Sequence, residues 1–381
     1  MRIVVDARKV SSKHYGIGTY IRRLGETCAR LSPSDDFVFL GEVDRADGKG
    51  VPRDATLISG DNVTWEPNSS ANYGLRELVS VSWQVRNLEG NVFHAPHYVY
   101  PLMLPCPGVV TIHDCIHLRF PQQFPKPGSN LYANRMIRRA VAKSDRVLTV
   151  SEATRADLVE LVNADPSKIE VIPHGCDPYF LEPVDNLELS KVAEKYSLDL
   201  DRPFLLSVTN IKPHKNLKRL LESFGQLWRD YDDLDLVIAG GDFKQHPELE
   251  AVCESHGFKD RVKTLGFLEK KKDLRALYNL AHIFVFPSLY EGSGLPPLEA
   301  MACGTPVVAS DNSAIPEIVG RNGLLVNPYR VDAITEAIRS LLENSSFRDA
   351  LGAQGKIRAQ EFDWNESARR VLDVYREVVT S

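Results

Sequence analysis

Short apolar runs alternate with helical patterns along the whole 381-residue chain, and few folds satisfy that alternation. Runs at 2–6, 37–40, 55–59, 92–95, 109–113, 146–150 and 169–172 read as strands. Between them, apolar residues recur at helical spacing over 18–31, 73–88, 130–143 and 152–163. The second half repeats the scheme, with strands predicted at 204–208, 234–239, 262–266, 283–286, 306–309 and 323–326. Its helices are predicted at 216–230, 272–281, 296–303, 331–344 and 347–361. Wholly apolar strands separated by helices are the pattern of parallel sheets covered on both faces. Two successive sets predict two doubly wound, Rossmann-like α/β domains. The periodicity breaks between Pro173 and Pro203, which divides the chain into 1–175 and 176–361. Phe362-Asp-Trp-Asn then leads into a last helix within 362–381. Such sheets bind ligands outside the carboxyl ends of their strands, so the site is expected in a cleft between the domains.

Residues 283–311 carry the most chemistry. The strand Ile283-Phe-Val-Phe286 is followed by a glycine-bearing loop, and Pro296 and Pro297 suit a helix's first turn. Gly304 ends that helix, and Val307-Val-Ala309 opens another strand. Glu291 stands before the glycines, and Glu299 lies inside the helix, roughly 6 Å along its axis from Leu295. Gly292 and Gly294 leave the backbone bare, so the N–H groups of Ser293, Gly294 and Leu295 are free to meet an anion at the positive end of the helix dipole. An elongated ligand suits this layout, anionic in the middle and hydroxyl-rich at both ends, as a nucleotide sugar is. The plainer reading is a capped helix with two solvated glutamates.

Composition narrows the alternatives. A net charge of −5 does not favour a nucleic-acid partner; residues 1–180 are balanced, with 21 basic against 20 acidic side chains. Six scattered cysteines without C-x-x-C spacing suit a reducing cytosol rather than a disulfide framework or zinc ribbon. The N-terminus enters a strand directly, and no apolar run reaches the ~18 residues that span a bilayer. A cytoplasmic protein is expected, with a peripheral contact at the inner face of the membrane as an extension. That extension rests on residues 119–143. They carry Arg119, Lys126, Arg135, Arg138, Arg139 and Lys143, no acidic residue, and the interleaved Phe120, Phe124 and Tyr132. Such a run is either a solvated face or a patch for an anionic membrane surface or lipid-diphosphate acceptor.

The stretch Pro287-Ser-Leu-Tyr-Glu-Gly-Ser-Gly-Leu-Pro-Pro-Leu-Glu-Ala-Met-Ala-Cys-Gly-Thr-Pro-Val-Val-Ala-Ser310, with its Glu-x7-Glu, resembles the signature of the retaining family-4 glycosyltransferases, which have the GT-B fold. The resemblance implies that Glu291 contacts the donor sugar and Glu299 the nucleotide ribose. It implies a site further built from Gly292, Ser293, Gly294 and Leu295. Ser293 departs from the family, which usually has Phe there. His14-Tyr-Gly16-Ile-Gly18 lacks the third glycine of a dinucleotide fingerprint and alone reads as a tight turn; within the resemblance, Gly16 and Gly18 match the loop that approaches the donor diphosphate across the cleft.

His113-Asp114 ends a strand and is followed by Phe120-Pro121, a combination shared with mannosyltransferase-like members of the family. The histidine of related enzymes donates a hydrogen bond to the donor sugar. A metal reading would put His113, Cys115 and His117 on one face of a continuing strand, without a fourth ligand. His94 and His97 receive no assigned role.

Asn210-Ile-Lys-Pro-His-Lys215-Asn216 follows a strand and opens a helix. Lys215 matches the family's diphosphate-binding lysine, while Asn210 occupies its arginine's position, leaving Lys212 or His214 to compensate. Ala239-Gly240-Gly241-Asp242 and Leu265-Gly266-Phe267 resemble the segments near the nucleotide base.

These features predict a retaining, metal-independent hexosyltransferase with His113, Lys215 and Glu291 as catalytic residues. Donor binding is assigned to Gly16, Gly18, Asp114, Asn210, Gly292, Ser293, Gly294, Leu295 and Glu299. No cofactor is expected. The donor leans to GDP-mannose, with a UDP-sugar such as UDP-glucose as the alternative. The acceptor is expected to be a glycan or lipid-linked sugar of cell-surface polysaccharide synthesis. Two other classes stand beside this one. A nicotinamide-dependent oxidoreductase would need the missing glycine and an acid after the second strand. A catalytically silent sugar-nucleotide-binding chain would accommodate Asn210 and Ser293.

Overall fold

A computed structural model describes residues 1–10, 15–42, 56–68, 77–123, 128–243 and 246–381. The chain divides into two compact units, Met1–Gly175 with Asp363–Ser381, and Cys176–Phe362.

In the first unit the order runs β1 (Arg2–Asp6), α1 (Tyr15–Leu31), β2 (Asp36–Glu42), β3 (Val63–Asn68), α2 (Glu77–Asn87) and β4 (Val92–Ala95). It continues through β5 (Gly108–Ile112), α3 (Ile116–Arg119), α4 (Ser129–Lys143), β6 (Arg146–Thr149), α5 (Glu152–Val162) and β7 (Ile169–Val171). The strands form a seven-stranded parallel sheet in the order β3-β2-β1-β4-β5-β6-β7. Alternate residues of each strand feed opposite faces, as the two-residue period requires. Ile3, Val5, Phe37 and Phe39 pack beneath α1, while Val4, Val38 and Leu40 pack against α2, α4 and α5.

The second unit runs α6 (Asn186–Lys195), β8 (Phe204–Val208), α7 (Leu217–Leu227), β9 (Asp235–Ala239), α8 (Pro247–His256), β10 (Val262–Thr264) and α9 (Lys271–Leu280). It then runs β11 (Ile283–Phe286), α10 (Leu295–Ala302), β12 (Val307–Ser310), α11 (Ile315–Val319), β13 (Leu324–Val326), α12 (Val331–Glu343) and α13 (Ser345–Gln360). Its six-stranded sheet has the order β10-β9-β8-β11-β12-β13, again parallel. Both orders reverse once, between β1 and β4 in one unit and between β8 and β11 in the other. Those reversals are where a doubly wound sheet leaves a crevice.

The last helix, α14 (Trp364–Thr380), returns to the first unit and covers the same sheet face as α1. Its Tyr375 hydroxyl meets His94 Nδ1 at 2.6 Å, and His94 Nε2 meets Thr111 Oγ1 at 2.8 Å. Tyr20 Oη completes the chain at 3.0 Å from Thr111. Burial, with His113 nearby, pushes His94 down to about 3, so it is a neutral strut. At the crossings, Cys176 N–H donates to Phe362 O at 2.7 Å, and a Cβ on Gly175 would lie 2.4 Å from Trp364 N. Only glycine fits at 175.

Three expectations require correction. The described part of 55–59 is not a strand: Ile58 is buried and accepts from Trp65 Nε1 at 2.9 Å, while the alternating Val63-Thr-Trp65 run takes the sheet edge. Pro67 is tolerated there because an edge strand has one unpaired side. Gly16 and Gly18 lie in the first turn of α1, not in a loop before it, and His14 lies outside the described residues. The segment between Pro173 and Pro203 contains α6, whose Asp185 carboxylate accepts from Glu188 N–H at 2.7 Å as an N-cap. The prolines around it masked that signal.

Candidate active site

Two loops meet at the β8/β11 reversal. After β8 the chain makes a 3-10 turn at Pro213–Lys215, and Asn216 takes a left-handed conformation, φ 60°, before α7. The buried Asn216 amide donates to Pro287 O at 2.9 Å and Pro328 O at 2.7 Å, tying this turn to the segments after β11 and β13. Leu289 N–H donates to His214 O at 2.7 Å. These bonds bring Lys215 Nζ to 2.5 Å from Glu291 Oε1. Ser288 Oγ donates to the same carboxylate oxygen at 2.7 Å.

Glu291 is also held from behind. Its N–H donates to Ser313 Oγ at 2.8 Å, and the Ser313 hydroxyl donates to Glu291 O. Ser313 has φ 56°, a conformation unusual for a residue with a Cβ. Ser288 and Ser313 are site residues that the sequence reading missed. Ser288 lies three positions before Glu291 and was legible; Ser313 comes from beyond β12 and carries no local signal.

The loop then runs through half-buried Gly292 and Ser293 into Gly294, which precedes α10. A Cβ on Gly294 would lie 3.1 Å from Ile318 Cγ1. Among the described residues no acceptor meets the N–H groups of Ser293, Gly294 and Leu295, and Pro296 and Pro297 have none to offer. The positive end of α10 therefore presents its open donors in one short run.

Glu299 departs from the expected solvated carboxylate. It is buried, and Tyr278 donates to its Oε2 at 3.0 Å. Burial pushes it up to about 8, against the pull of Tyr278 and Lys271. Near neutral pH it is mostly an uncharged acid, able to donate as well as accept. His214 is corrected as well: burial, aided by Lys215 and Lys212, lowers it to about 3, so it supplies no charge. Asn210 and Lys212 are exposed, and Lys212 is the cation of that pair. Thr209 N–H donates to Ala239 O at 2.7 Å, and Gly240 N–H to Gly266 O at 2.7 Å, so the three loops after β8, β9 and β10 form one rim.

In the first unit, His113 follows β5 directly. Its Nε2 donates to Pro96 O at 3.0 Å, and its ring lies edge-on to Tyr20 at 4.7 Å. Burial lowers it to about 4, partly opposed by Pro96 and Asp114. The neutral ring has one N–H, and Pro96 takes it. Donation to a sugar therefore requires that bond to be released. Asp114 accepts from Ile116 N–H at 3.0 Å and starts α3, which overturns the strand-face metal reading: His113, Cys115 and His117 do not alternate on one face. Among the described residues no group of three or more His, Cys, Asp or Glu is placed to hold a metal ion. Gly16 is exposed, with nothing within 4 Å of a built Cβ, and Gly18 is buried.

Residues 15–180 match the family described as Glycosyltransferase Family 4, and residues 190–358 that described as Glycosyl transferases group 1. The O-antigen chain mannosyltransferase B of Escherichia coli is 30% identical over 296 residues, which cover 77% of this chain and 76% of that protein. The chain belongs to the family-4 glycosyltransferases. The alpha-maltose-1-phosphate synthase of Mycolicibacterium smegmatis is 28% identical over 99% of this chain and 100% of its own. Among solved structures, sucrose-phosphate synthase from Thermosynechococcus elongatus superposes with a TM-score of 0.77 at 21% identity, covering 100% of this chain and 99% of its own. HepE from Anabaena, solved with UDP and glucose, gives 0.76 at 19% identity, over 99% and 100%. These likenesses establish the GT-B fold for this glycosyltransferase.

Basic residues of 119–143 are largely committed within the fold. Arg119 binds Asp157 at 2.6 Å and also Glu160. Arg139 donates to Tyr100 O at 2.5 Å and Pro101 O at 2.7 Å, and Arg138 to Leu161 O at 2.6 Å. Phe124 and Lys126 lie outside the described residues.

Proposed function

We propose that the enzyme is a retaining, metal-independent hexosyltransferase using a nucleoside diphosphate sugar. The observation that carries this reading is Lys215 and Glu291 standing 2.5 Å apart across the β8/β11 reversal, beside the open amides of α10. The donor diphosphate lies over those amides and draws Lys215 from Glu291, which turns to the sugar hydroxyls. Glu299 reaches the ribose. As the sugar–phosphate bond breaks, an acceptor hydroxyl attacks the same face of the sugar, and the leaving phosphate oxygen takes its proton. Lys215 and the helix dipole gain interaction energy as charge builds on that oxygen, which is what accelerates the step. His113 orients the sugar once Pro96 releases it, with Asp114 and the α1 glycines Gly16 and Gly18 as further donor contacts.

Mannose from GDP-mannose is the favoured transfer, to a glycan or glycolipid of cell-surface polysaccharide. The His113-Asp114…Phe120-Pro121 combination and the mannosyltransferase relatives support it. A UDP-sugar is the second reading, supported by the fold relatives solved with UDP and UDP-glucose. Thermal-shift titration with GDP-mannose, UDP-glucose and ADP-glucose, followed by transfer assays in chelator, tests both. Lys215→Ala should lower turnover far more than donor affinity. Equal loss of both, or strict dependence on manganese, would sink the mechanism.

We also infer a cytoplasmic, peripheral contact with an anionic membrane surface. Val79, Trp83 and Arg86 follow one another at helical spacing on the exposed side of α2, as do Leu131, Arg135 and Arg138 on α4. Apolar side chains flanked by arginines suit a lipid interface. No helix among the described residues is long and apolar enough to cross a membrane. Flotation with phosphatidylglycerol vesicles should retain the enzyme, and Trp83→Ser with Leu131→Ser should release it. Equal retention of that variant would refute this contact.

A further inference from the structure

The β1/β4 reversal leaves a second crevice, in the first unit, that the donor reading does not use. Asp6, Arg8 and Lys9 follow β1, and Pro96, His97 and Val99 follow β4. They line a hollow of about 250 Å³, including its open mouth. Arg8 and Lys9 are 4% and 7% exposed, a rare condition for two cations on successive residues. Arg8 is matched by Asp6, at 2.8 Å from Nε to Oδ1 and 2.5 Å from Nη2 to Oδ2. Although burial alone would raise the Asp6 carboxyl, Arg8 and more weakly Lys9 hold it below its ordinary value, so it is charged. The lining therefore carries two cations against one carboxylate. His113 adjoins this hollow through Pro96 and adds no charge, being neutral.

Burying a lysine beside a satisfied Arg–Asp pair costs stability that an apolar residue would not. Its position at the reversal, where this class of sheet binds ligands, gives that cost a purpose. We propose that this hollow takes a phosphate group carried by the acceptor, with Lys9 as its anchor, so that the acceptor is a phosphorylated sugar or a diphosphate-linked one. This rests on the transferase reading above. Arg8 and Asp6 act as positioning residues: their bidentate pair fixes the turn that presents Lys9.

The test uses the full chain saturated with nucleoside diphosphate, titrated calorimetrically with glucose 1-phosphate, farnesyl diphosphate and unphosphorylated glucose. At least one phosphate probe should bind tenfold or more tightly than glucose. Glucose 1-phosphate as the better ligand identifies a soluble sugar phosphate, and farnesyl diphosphate a lipid-linked acceptor. Lys9→Met should weaken phosphate binding at least tenfold with an unchanged or higher melting temperature. Lys9→Arg should keep most of the binding. Glucose binding as tightly as the phosphates, or Lys9→Met binding phosphate normally, would overturn the proposal while leaving the donor reading intact. Absence of nucleoside diphosphate binding would instead overturn the donor reading and this inference with it.

Discussion

Lys215 and Glu291 hold each other at 2.5 Å, so neither is a free charge in the ligand-free enzyme. A diphosphate that takes the lysine leaves the carboxylate available to sugar hydroxyls, coupling the two contacts in one exchange. Glu299 is a different kind of residue. Its carboxyl keeps its proton in the folded chain up to about pH 8, whereas the unfolded chain releases it near 4.5. The folded state thus binds more protons between those values, and this group's contribution to stability falls as pH rises through the window. The slope is at most about 1.4 kcal/mol per pH unit, and the contribution levels off above about pH 8. Glu299→Gln, which cannot ionise, should flatten the profile. Urea midpoints at pH 5, 6, 7 and 8 check this, and parallel curves for the two proteins would refute it.

At the scale of elements, the active loops are positioned by close backbone approach. Gly240 follows β9 with φ 100°, and a Cβ there would lie 2.7 Å from Thr209 O, in the loop that leads to Lys215. Alanine at 240 suffers both the left-handed backbone and that collision. Gly240→Ala should destabilise the second unit by roughly 1–3 kcal/mol and displace the Lys215 turn. Denaturant titration beside nucleotide titration measures the two effects. Wild-type values in both would mean the rim is not rigid. Ile211 adds to the constraint, since a Cβ on Gly241 would lie 2.4 Å from its Cγ1. The glycines at 240 and 241 are thus needed for packing in the ligand-free fold.

At the scale of the whole molecule, the first and last parts of the chain share one core. Leu24 and Cys28 from α1 and Val371, Leu372 and Tyr375 from α14 lie in one buried cluster. The Tyr375–His94 bond joins residues 281 positions apart inside that core. Tyr375→Phe leaves His94 Nδ1 without this partner and should cost the first unit roughly 1–3 kcal/mol. Hydrogen exchange resolved by segment should place the loss in β4, β5 and α14 and spare 176–362. A uniform loss would contradict the two-unit division.

The alternation of strands and helices was readable because each period is local, two residues for a strand and 3.6 for a helix. That was enough for two parallel sheets and for the Glu291–Glu299 loop, whose glycines, prolines and carboxylates are neighbours in sequence. Other features depended on residues far apart. Ser313 supporting Glu291, Asn216 bridging Pro287 and Pro328, and Tyr278 capping a proton-bearing Glu299 are each set by strand order. The charge states of His113, His214 and Glu299 were beyond reach for a further reason, since burial decides them and burial belongs to the folded chain. The sequence alone determined which elements form and which chemical groups they carry; only the tertiary structure decided which of those groups meet and which remain charged.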